Sequence, residues 1–284
     1  MQINRDDLYL VTGGSGFLGD ELVGRILALG GRVRVMARDE GALIKLKQKY
    51  DSIDIFPGDV SDVFEVNQAF DEVKGVFHLA AFKHVGFAEK FSRECIKSNV
   101  AGSLNVLESS IKFDVDFVVG ISTDKACRVS GVYGATKMLM ESLFRQYESM
   151  NLNCEYRIVR YGNVLYSTGS VLCKWKDLIE NGQQCVVTEM EATRFYWTVD
   201  QAIDLIFDCL HNATSSEPYC PEMKSVEIGD LLRAMYIKYN NGIYVEPKII
   251  GLQPGENFHE KIIDGMPTSD KAEKFTVDEL LELV

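Results

Sequence analysis

The chain has 284 residues, 46% hydrophobic and 25% charged, with 30 basic against 42 acidic side chains and a net charge of -12. This is the composition of an ordinary soluble globular protein with ample core, and its acidity argues against a general nucleic-acid binder or a protein drawn to anionic lipid, since both need a basic surface or patch. No apolar run approaches the roughly 20 residues of a membrane span. The amino end, Met1 to Asp7, is polar rather than signal-like, and seven cysteines without a C-x-x-C pair fit reduced thiols in cytosol better than a disulfide frame or a metal site.

Leu8 to Val11 is a short apolar run ending at Thr12, and Gly13-Gly14-Ser15-Gly16-Phe17-Leu18-Gly19 follows it. The glycines satisfy G-x-G-x-x-G at 14, 16 and 19 and also G-x-x-G-x-x-G at 13, 16 and 19. Leu18, Leu22, Ile26 and Leu29 then predict a helix that stops at Gly30-Gly31. Strand, glycine turn and helix form the context in which the backbone approaches a pyrophosphate at a helix amino end. Gly13, Ser15, Gly16, Phe17 and Leu18 are the candidate contacts. Arg32 to Met36 reads as the second strand, closing in Ala37-Arg38-Asp39. Arg38 suits a ribose phosphate and Asp39 leaves the bare ribose open, so NADP is favoured over NAD.

The alternation continues with a polar helix to Tyr50, a strand over Ile53 to Phe56, and the turn Pro57-Gly58-Asp59-Val60, where Asp59 and Val60 are placed to border an adenine. A helix over Ser61 to Phe70 precedes a strand, Gly75 to Leu79, that runs into Ala80-Ala81-Phe82-Lys83-His84-Val85. The small residues Ala80 and Ala81 allow the backbone to pass close to a cofactor. A further helix, with Asn99 near its start, precedes the strand Phe117 to Ile121, and Cys154 to Arg160 makes another. Strands alternating with helices specify an α/β fold of Rossmann type, a doubly wound parallel sheet that binds its ligands beyond the carboxyl ends of the strands.

That is where Ser122-Thr123-Asp124-Lys125-Ala126 and Val132-Tyr133-Gly134-Ala135-Thr136-Lys137 fall. Tyr133 and Lys137, four apart on a helix, share a face, so the lysine can lower the phenol's pKa. A phenol so tuned takes a hydroxyl proton while hydride leaves for a nicotinamide. After Arg160-Tyr161-Gly162-Asn163-Val164 the rhythm breaks down. The expected division is a dinucleotide-binding domain of 1–162 plus about 199–222, and a smaller, discontinuous substrate lobe of about 163–198 plus 223–284. Val199 to Leu210 is a helix returning to the main domain, and Thr276 to Val284 is a final acidic helix.

The motifs T-G-G-S-G-F-L-G, A-A-F-K-H-V, S-T-D-K-A, V-Y-G-A-T-K, R-Y-G-N-V, T-G-S-V, T-R-F-Y-W-T and P-G-E-N-F-H-E occur in order over roughly residues 8 to 262. On them the chain resembles the extended short-chain dehydrogenases/reductases, and within these the UDP-N-acetylglucosamine 4,6-dehydratases. The S-T-D-K-A block discriminates, because simple epimerases of the group lack the Asp-Lys pair. The resemblance implies a mechanism. Tyr133, assisted by Lys137 and flanked by Thr123 or Ser122, deprotonates the sugar's 4-hydroxyl as hydride passes to NADP. Lys125, held neutral by desolvated and positively charged surroundings, removes the proton at carbon 5. Asp124, protonated, gives a proton to the departing 6-hydroxyl, and hydride returns to carbon 6.

Members that retain configuration at carbon 5 typically carry Met where this chain has Tyr133, so inversion is expected, with UDP-2-acetamido-2,6-dideoxy-beta-L-arabino-hex-4-ulose as product. The resemblance further implies cofactor contacts at Lys83, Asn99 and Tyr161, and UDP-sugar contacts at Lys83, Asn163, Ser170, Val171, Arg194 and Glu256. It also implies a homo-oligomer, a dimer or hexamer. The chain departs from its relatives at Gln253 and Asn257, where they usually carry Arg and Lys, at Thr168, usually Arg, and over Cys127 to Gly131, which lacks their Pro and Asn. A 4-epimerase, a 5,6-dehydratase and a non-catalytic NADP-binding regulator are the rival readings.

Overall fold

A computed structural model describes residues 2–284, so Met1 of the polar amino end lies outside it. In chain order the main elements are β1 (Leu8–Thr12), α1 (Phe17–Ala28), β2 (Arg32–Ala37), α2 (Glu40–Lys49), β3 (Asp54–Pro57), α3 (Val63–Ala69), β4 (Val73–His78), α4 (Val85–Lys90), α5 (Ser92–Ile96), α6 (Gly102–Lys112), β5 (Phe117–Thr123), α7 (Val132–Met150) and β6 (Glu155–Tyr161). There follow β7 (Asn163–Val164), α8 (Val171–Glu180), β8 (Val186–Val187), β9 (Thr193–Trp197), α9 (Val199–Asn212), β10 (Pro218–Tyr219), β11 (Ser225–Glu227), α10 (Ile228–Tyr239), β12 (Lys248–Ile249) and α11 (Val277–Leu283).

Seven parallel strands form the main sheet in the order β10-β6-β5-β4-β1-β2-β3. Its central strands are buried on both faces, as their unbroken apolar runs require. On one face Leu22, Val23 and Ile26 of α1, Leu43 and Leu46 of α2, and Ile203, Ile206 and Leu210 of α9 pack on Val11, Val35, Val119 and Val159. On the other, Val66 of α3, Val106 and Leu107 of α6, and Met140 and Phe144 of α7 pack on Leu10, Val76, Val118 and Ile158. Helices on both faces make the sheet doubly wound, and the chain reverses its direction of travel between β1 and β4. A crevice opens at such a point, outside the strands' carboxyl ends.

Gly13 and Ala80 flank this crevice. Gly13 has φ +70°, and a Cβ on it would lie 2.8 Å from the Ala80 backbone, so a side chain is excluded on both conformational and steric grounds. Above the crevice, a three-stranded sheet in the order β11-β9-β7 packs with α8, α10 and α11 around Trp175, Leu232, Met235 and Leu280. Asn99 lies just before Gly102, where α6 begins, as expected. It occupies a π-helical turn, Lys97–Ala101, that joins α5 to α6 without a break. All seven cysteines are free, and no helix among the described residues is long and apolar enough to cross a membrane.

Candidate active site

A cavity of about 600 Å³ lies where β1, β4, β5 and β6 end. That volume is in the range that holds a small-molecule ligand. Gly13, Gly16, Phe17, Leu18, Ala80 and Ala81 line one end. Gly16 caps α1 without a side-chain hydrogen bond, leaving the helix's first N–H groups open toward the cavity. Gly19 lets the helix sit on the turn, since a Cβ there would come 2.5 Å from the Gly14 Cα. Beneath, Thr12 Oγ1 contacts His78 Nδ1 at 2.8 Å and His78 Nε2 contacts Ser103 Oγ at 3.0 Å, tying β1, β4 and α6 together. Burial, with the Lys137 charge, pushes His78 down to about 3, so the floor carries a neutral imidazole.

The middle of the cavity is built by the end of β5 and the start of α7. Asp124-Lys125-Ala126 form a single tight turn, on which α7 seats directly: a Cβ at Gly134 would lie 2.3 Å from the Lys125 carbonyl oxygen. Thr123, Lys125, Tyr133 and Lys137 therefore meet in one wall. Lys137 Nζ donates to the Ile121 carbonyl at 2.7 Å, and burial pushes this amine down to about 8 although Glu141 and Cys95 oppose the change. Burial also pushes Tyr133 up to about 12, while the Lys125 charge and a hydrogen bond with Thr123 act to lower it. Lys125 is thus a cation that eases phenol ionisation, in the same wall as the Lys137 to which the sequence pointed.

Lys125 itself departs from expectation. Its Nζ lies 3.0 Å from Asp124 Oδ1 and 3.4 Å from Glu260 Oε1. Burial and Arg194 act to lower its pKa, but the two carboxylates prevail and hold it above the usual lysine range, as an ammonium. Its surroundings are negative rather than positive, which is why the expected neutral amine is not the resting form. Asp124 is fully buried and accepts a 2.9 Å hydrogen bond from Thr123 Oγ1. Asp124 Oδ2 and Glu260 Oε1 are buried without a hydrogen-bond donor.

Around the rest of the wall, Lys83 Nζ donates to the Thr168 carbonyl at 3.3 Å, and Asn163 Nδ2 donates to that of Phe195 at 3.3 Å. Burial lowers the Lys83 pKa. Ser170 and Val171 open α8 toward the cavity, with no side-chain hydrogen bond at the cap. Arg194 Nη1 donates to the Thr193 and Phe258 carbonyls at 2.8 and 3.1 Å, Tyr161 presents a buried hydroxyl without a partner, and Glu256 accepts from the Gln253 N–H at 3.0 Å.

Ser15, Arg38, Asp59, Val60 and Asn99 are not in this wall, and neither is Asp124, which stands behind Lys125. Arg38 is largely exposed past β2, 4.0 Å from Asp59. Asp39 caps α2 through the Ala42 N–H at 3.0 Å. Val60 packs against Gly102, and Asn99 spends its amide on the Phe82 backbone at 2.7 and 3.0 Å and on Thr136 at 3.0 Å. Asn99 therefore holds the 80–84 loop in place from below.

Residues 9–280 match the family of polysaccharide biosynthesis proteins. The chain belongs to that family. Among its relatives, an uncharacterised membrane protein of Methanocaldococcus jannaschii is 37% identical over 91% of this chain and 81% of its own. A UDP-N-acetylglucosamine 4,6-dehydratase (inverting) of Campylobacter jejuni is 31% identical over 89% of this chain and 76% of its own. The X-ray structure of Pen from Bacillus thuringiensis matches with a TM-score of 0.93 at 28% identity, covering 100% of this chain and 98% of that one. The membership read from the motifs, and the Rossmann-type fold of the extended short-chain dehydrogenases/reductases, are borne out.

Two carboxylates in this family member escaped the sequence. Glu260 closes the P-G-E-N-F-H-E block, which was the one available signal, and it reaches Lys125 from far along the chain. Glu141 sits on α7 beneath Ser122, whose hydroxyl donates to it at 2.5 Å, and pairs with Arg160 through Nε at 3.0 Å and through Nη2. Arg160 also donates to the Ile262 carbonyl at 2.7 Å. The spacing of α7 carried a signal, since Glu141 lies four residues beyond Lys137 and between Met140 and Phe144, on the helix's buried face. Asn257, where the resemblance led one to expect a lysine, donates to Glu260 Oε2 at 3.0 Å and to the Arg128 carbonyl at 3.3 Å.

Proposed function

We propose that the chain is an NADP-dependent UDP-N-acetylglucosamine 4,6-dehydratase that inverts carbon 5. The observation that carries this reading is the Asp124–Lys125 ion pair at 3.0 Å in contact with Tyr133's wall of the cavity, because oxidation alone needs only the Tyr-Lys pair. The glycine turn fits a nicotinamide dinucleotide, since Gly13 and Gly19 leave no room for a Cβ and α1 offers open N–H groups. Arg38 is exposed while Asp39 is engaged as a helix cap, which supports a 2′-phosphate at this strand end over a bare ribose. NADP held there supplies a hydride acceptor for carbon 4 and a hydride donor for carbon 6.

Tyr133, with its ionisation eased by Lys125 and Thr123, removes the 4-hydroxyl proton, and Lys137 lies one helical turn further along. The ketone so formed acidifies the hydrogen at carbon 5. One proton passing from Lys125 to Asp124 across their 3.0 Å contact converts ammonium and carboxylate into amine and carboxylic acid, with no change in the pair's charge. The amine then takes the carbon 5 proton, and the acid, which does not line the cavity, passes its proton through the Thr123 hydroxyl, 2.9 Å from its Oδ1, to the departing 6-hydroxyl, which leaves as water. Elimination thus regenerates the resting ion pair, and the proton that Tyr133 took from the 4-hydroxyl balances the one that carbon 5 gains when hydride returns to carbon 6. Lys83, Arg194 and the amino end of α8 at Ser170 and Val171 suit a diphosphate, with Asn163 and Glu256 near the sugar nucleotide. The division into a dinucleotide domain and a substrate lobe, and assembly as a homo-oligomer, belong to the same reading.

The test is incubation of the full chain with UDP-N-acetylglucosamine and NADP in D₂O, using substrate deuterated at carbon 4, with NMR of the product. The expected product is a 4-keto-6-deoxy sugar with the carbon 4 deuterium at carbon 6, solvent deuterium at carbon 5, and inverted configuration there. Unchanged substrate, inversion at carbon 4 alone, or an exocyclic alkene as end product overturns the reading in favour of a regulator, an epimerase or a 5,6-dehydratase respectively.

A further inference from the structure

The Lys125 ammonium sits between two carboxylates, and only one of them belongs to its own turn. Asp124 approaches at 3.0 Å from the end of β5, and Glu260 at 3.4 Å from the segment that follows β12. The other ionisable groups facing Lys125 are Tyr133 of α7 and Arg194 and Tyr196 of β9. Glu260 is fully buried and outside the cavity wall, so it does not meet the substrate. Its place is over-determined: its N–H donates to Ser269 Oγ at 2.8 Å, its Oε2 accepts from Asn257 at 3.0 Å, and its Oε1 is left bare, 4.0 Å from Arg194 Nε. A buried carboxylate oxygen without a donor is expensive to maintain, and here it points at an amine.

We propose that Glu260 is a positioning residue that clamps the Lys125 amine against Asp124 and sets how tightly the amine keeps its proton. The clamp fixes Nζ between two anions, of which Asp124 is the one that touches the Thr123 hydroxyl lining the cavity. Burial, then the Asp124 charge, raise the Glu260 pKa against the pull of Lys125 and Arg194. Glu260 therefore gains its negative charge later than an ordinary carboxylate as pH rises. Once ionised, it holds the amine as ammonium on the alkaline side. The catalytic consequence rests on the dehydratase reading; the clamp itself does not.

Two measurements separate the two. In the full chain labelled with [15N-ζ]lysine, with Lys125 assigned through Lys125→Arg, the wild-type amine is expected to remain mostly ammonium at pH 10.5, the ordinary lysine value. In Glu260→Gln, at any pH at which both proteins stay folded and Glu260 is ionised, the neutral fraction of Lys125 is expected to rise about tenfold or more. Glu260→Asp, which keeps the charge, should stay closer to wild type. A wild-type Lys125 already half neutral below pH 10.5 overturns the clamp even if Glu260→Gln fails to fold. So does an unmoved titration in a folded Glu260→Gln.

With UDP-N-acetylglucosamine, the alkaline limb of carbon 5 deuterium exchange should move to lower pH in Glu260→Gln while carbon 4 oxidation keeps its rate. An equal loss of both steps with an unmoved pH limb marks a merely structural residue and overturns the proposal. Absence of exchange in wild type counts against the dehydratase reading, and the sugar-free titration still decides the clamp.

Discussion

Replacing Lys137 with Met should make the protein more stable at neutral pH while abolishing hydride transfer. Lys137 is 4% exposed, and burial moves its pKa from 10.5 to about 8. That difference corresponds to roughly 3 kcal/mol by which the buried ammonium burdens the fold below pH 8. Met removes the burden but also leaves the Ile121 carbonyl without the donor now 2.7 Å away, a loss of about 1 kcal/mol. The balance at pH 7 is a gain of roughly 2 kcal/mol, or about 3 °C in thermal midpoint for a chain of this size. The sign depends on pH. Between about 8 and 10.5 the unfolded chain still holds the Lys137 proton that the folded chain has released. Wild-type stability attributable to Lys137 therefore rises through that window, and the variant's advantage should close and then reverse by about 1 kcal/mol. Thermal and urea unfolding of both proteins from pH 6.5 to 10.5 measures this directly. A variant less stable than wild type at pH 7, or a difference that does not change with pH, refutes the reasoning.

Glu141→Leu alone should destabilise by about 3–5 kcal/mol, because Arg160 stays buried without its carboxylate, whereas adding Arg160→Met should restore stability to within about 1 kcal/mol of wild type in urea unfolding. Gly19→Ala forces a Cβ to 2.5 Å from the Gly14 backbone; calorimetry should find no NADP binding and a lowered thermal midpoint, and wild-type affinity would contradict the tight cradle. Arg38→Ser should weaken NADP binding about tenfold or more and NAD binding about twofold or less, and equal losses for both would remove the argument for the 2′-phosphate. Asp124→Asn blocks the proton shift from Lys125, so single-turnover absorbance should show reduced cofactor accumulating with no 6-deoxy sugar formed.

The main sheet was legible because its strands are short, uninterrupted and apolar. Phe117 to Ile121 was read as a strand, and β5 adds only Ser122 and Thr123. β10 is two residues long and owes its place to pairing with Ile158 and Val159 of β6, a tertiary effect with no local periodicity. The same holds for β7, β8 and β12, also two residues each. In the site, neighbours in sequence were legible: Thr123, Asp124 and Lys125 share one turn, and Tyr133 and Lys137 share one helix face. Electrostatics was not, because it depends on where long side chains end. Lys137 Nζ is drawn to the Ile121 carbonyl, and Lys125 meets an anion contributed from residue 260. No spacing rule connects those positions, and the sign of the field at Lys125 follows from that connection.

The distance along the chain between the parts of this site also orders its assembly during synthesis. The glycine turn, the His78 floor and the Tyr133 wall are all encoded before β6 ends at Tyr161, and they lean on one another through the parallel sheet. Glu260, its Asn257 and Ser269 supports, and the Ile262 carbonyl that engages Arg160 emerge only with the segment that follows β12. A nascent chain can close its dinucleotide crevice while Arg160 and Lys125 still lack these later partners. Completion of the cluster around Lys125 is thereby deferred until that segment has been made, and a chain cut short before it lacks the far side of the cluster.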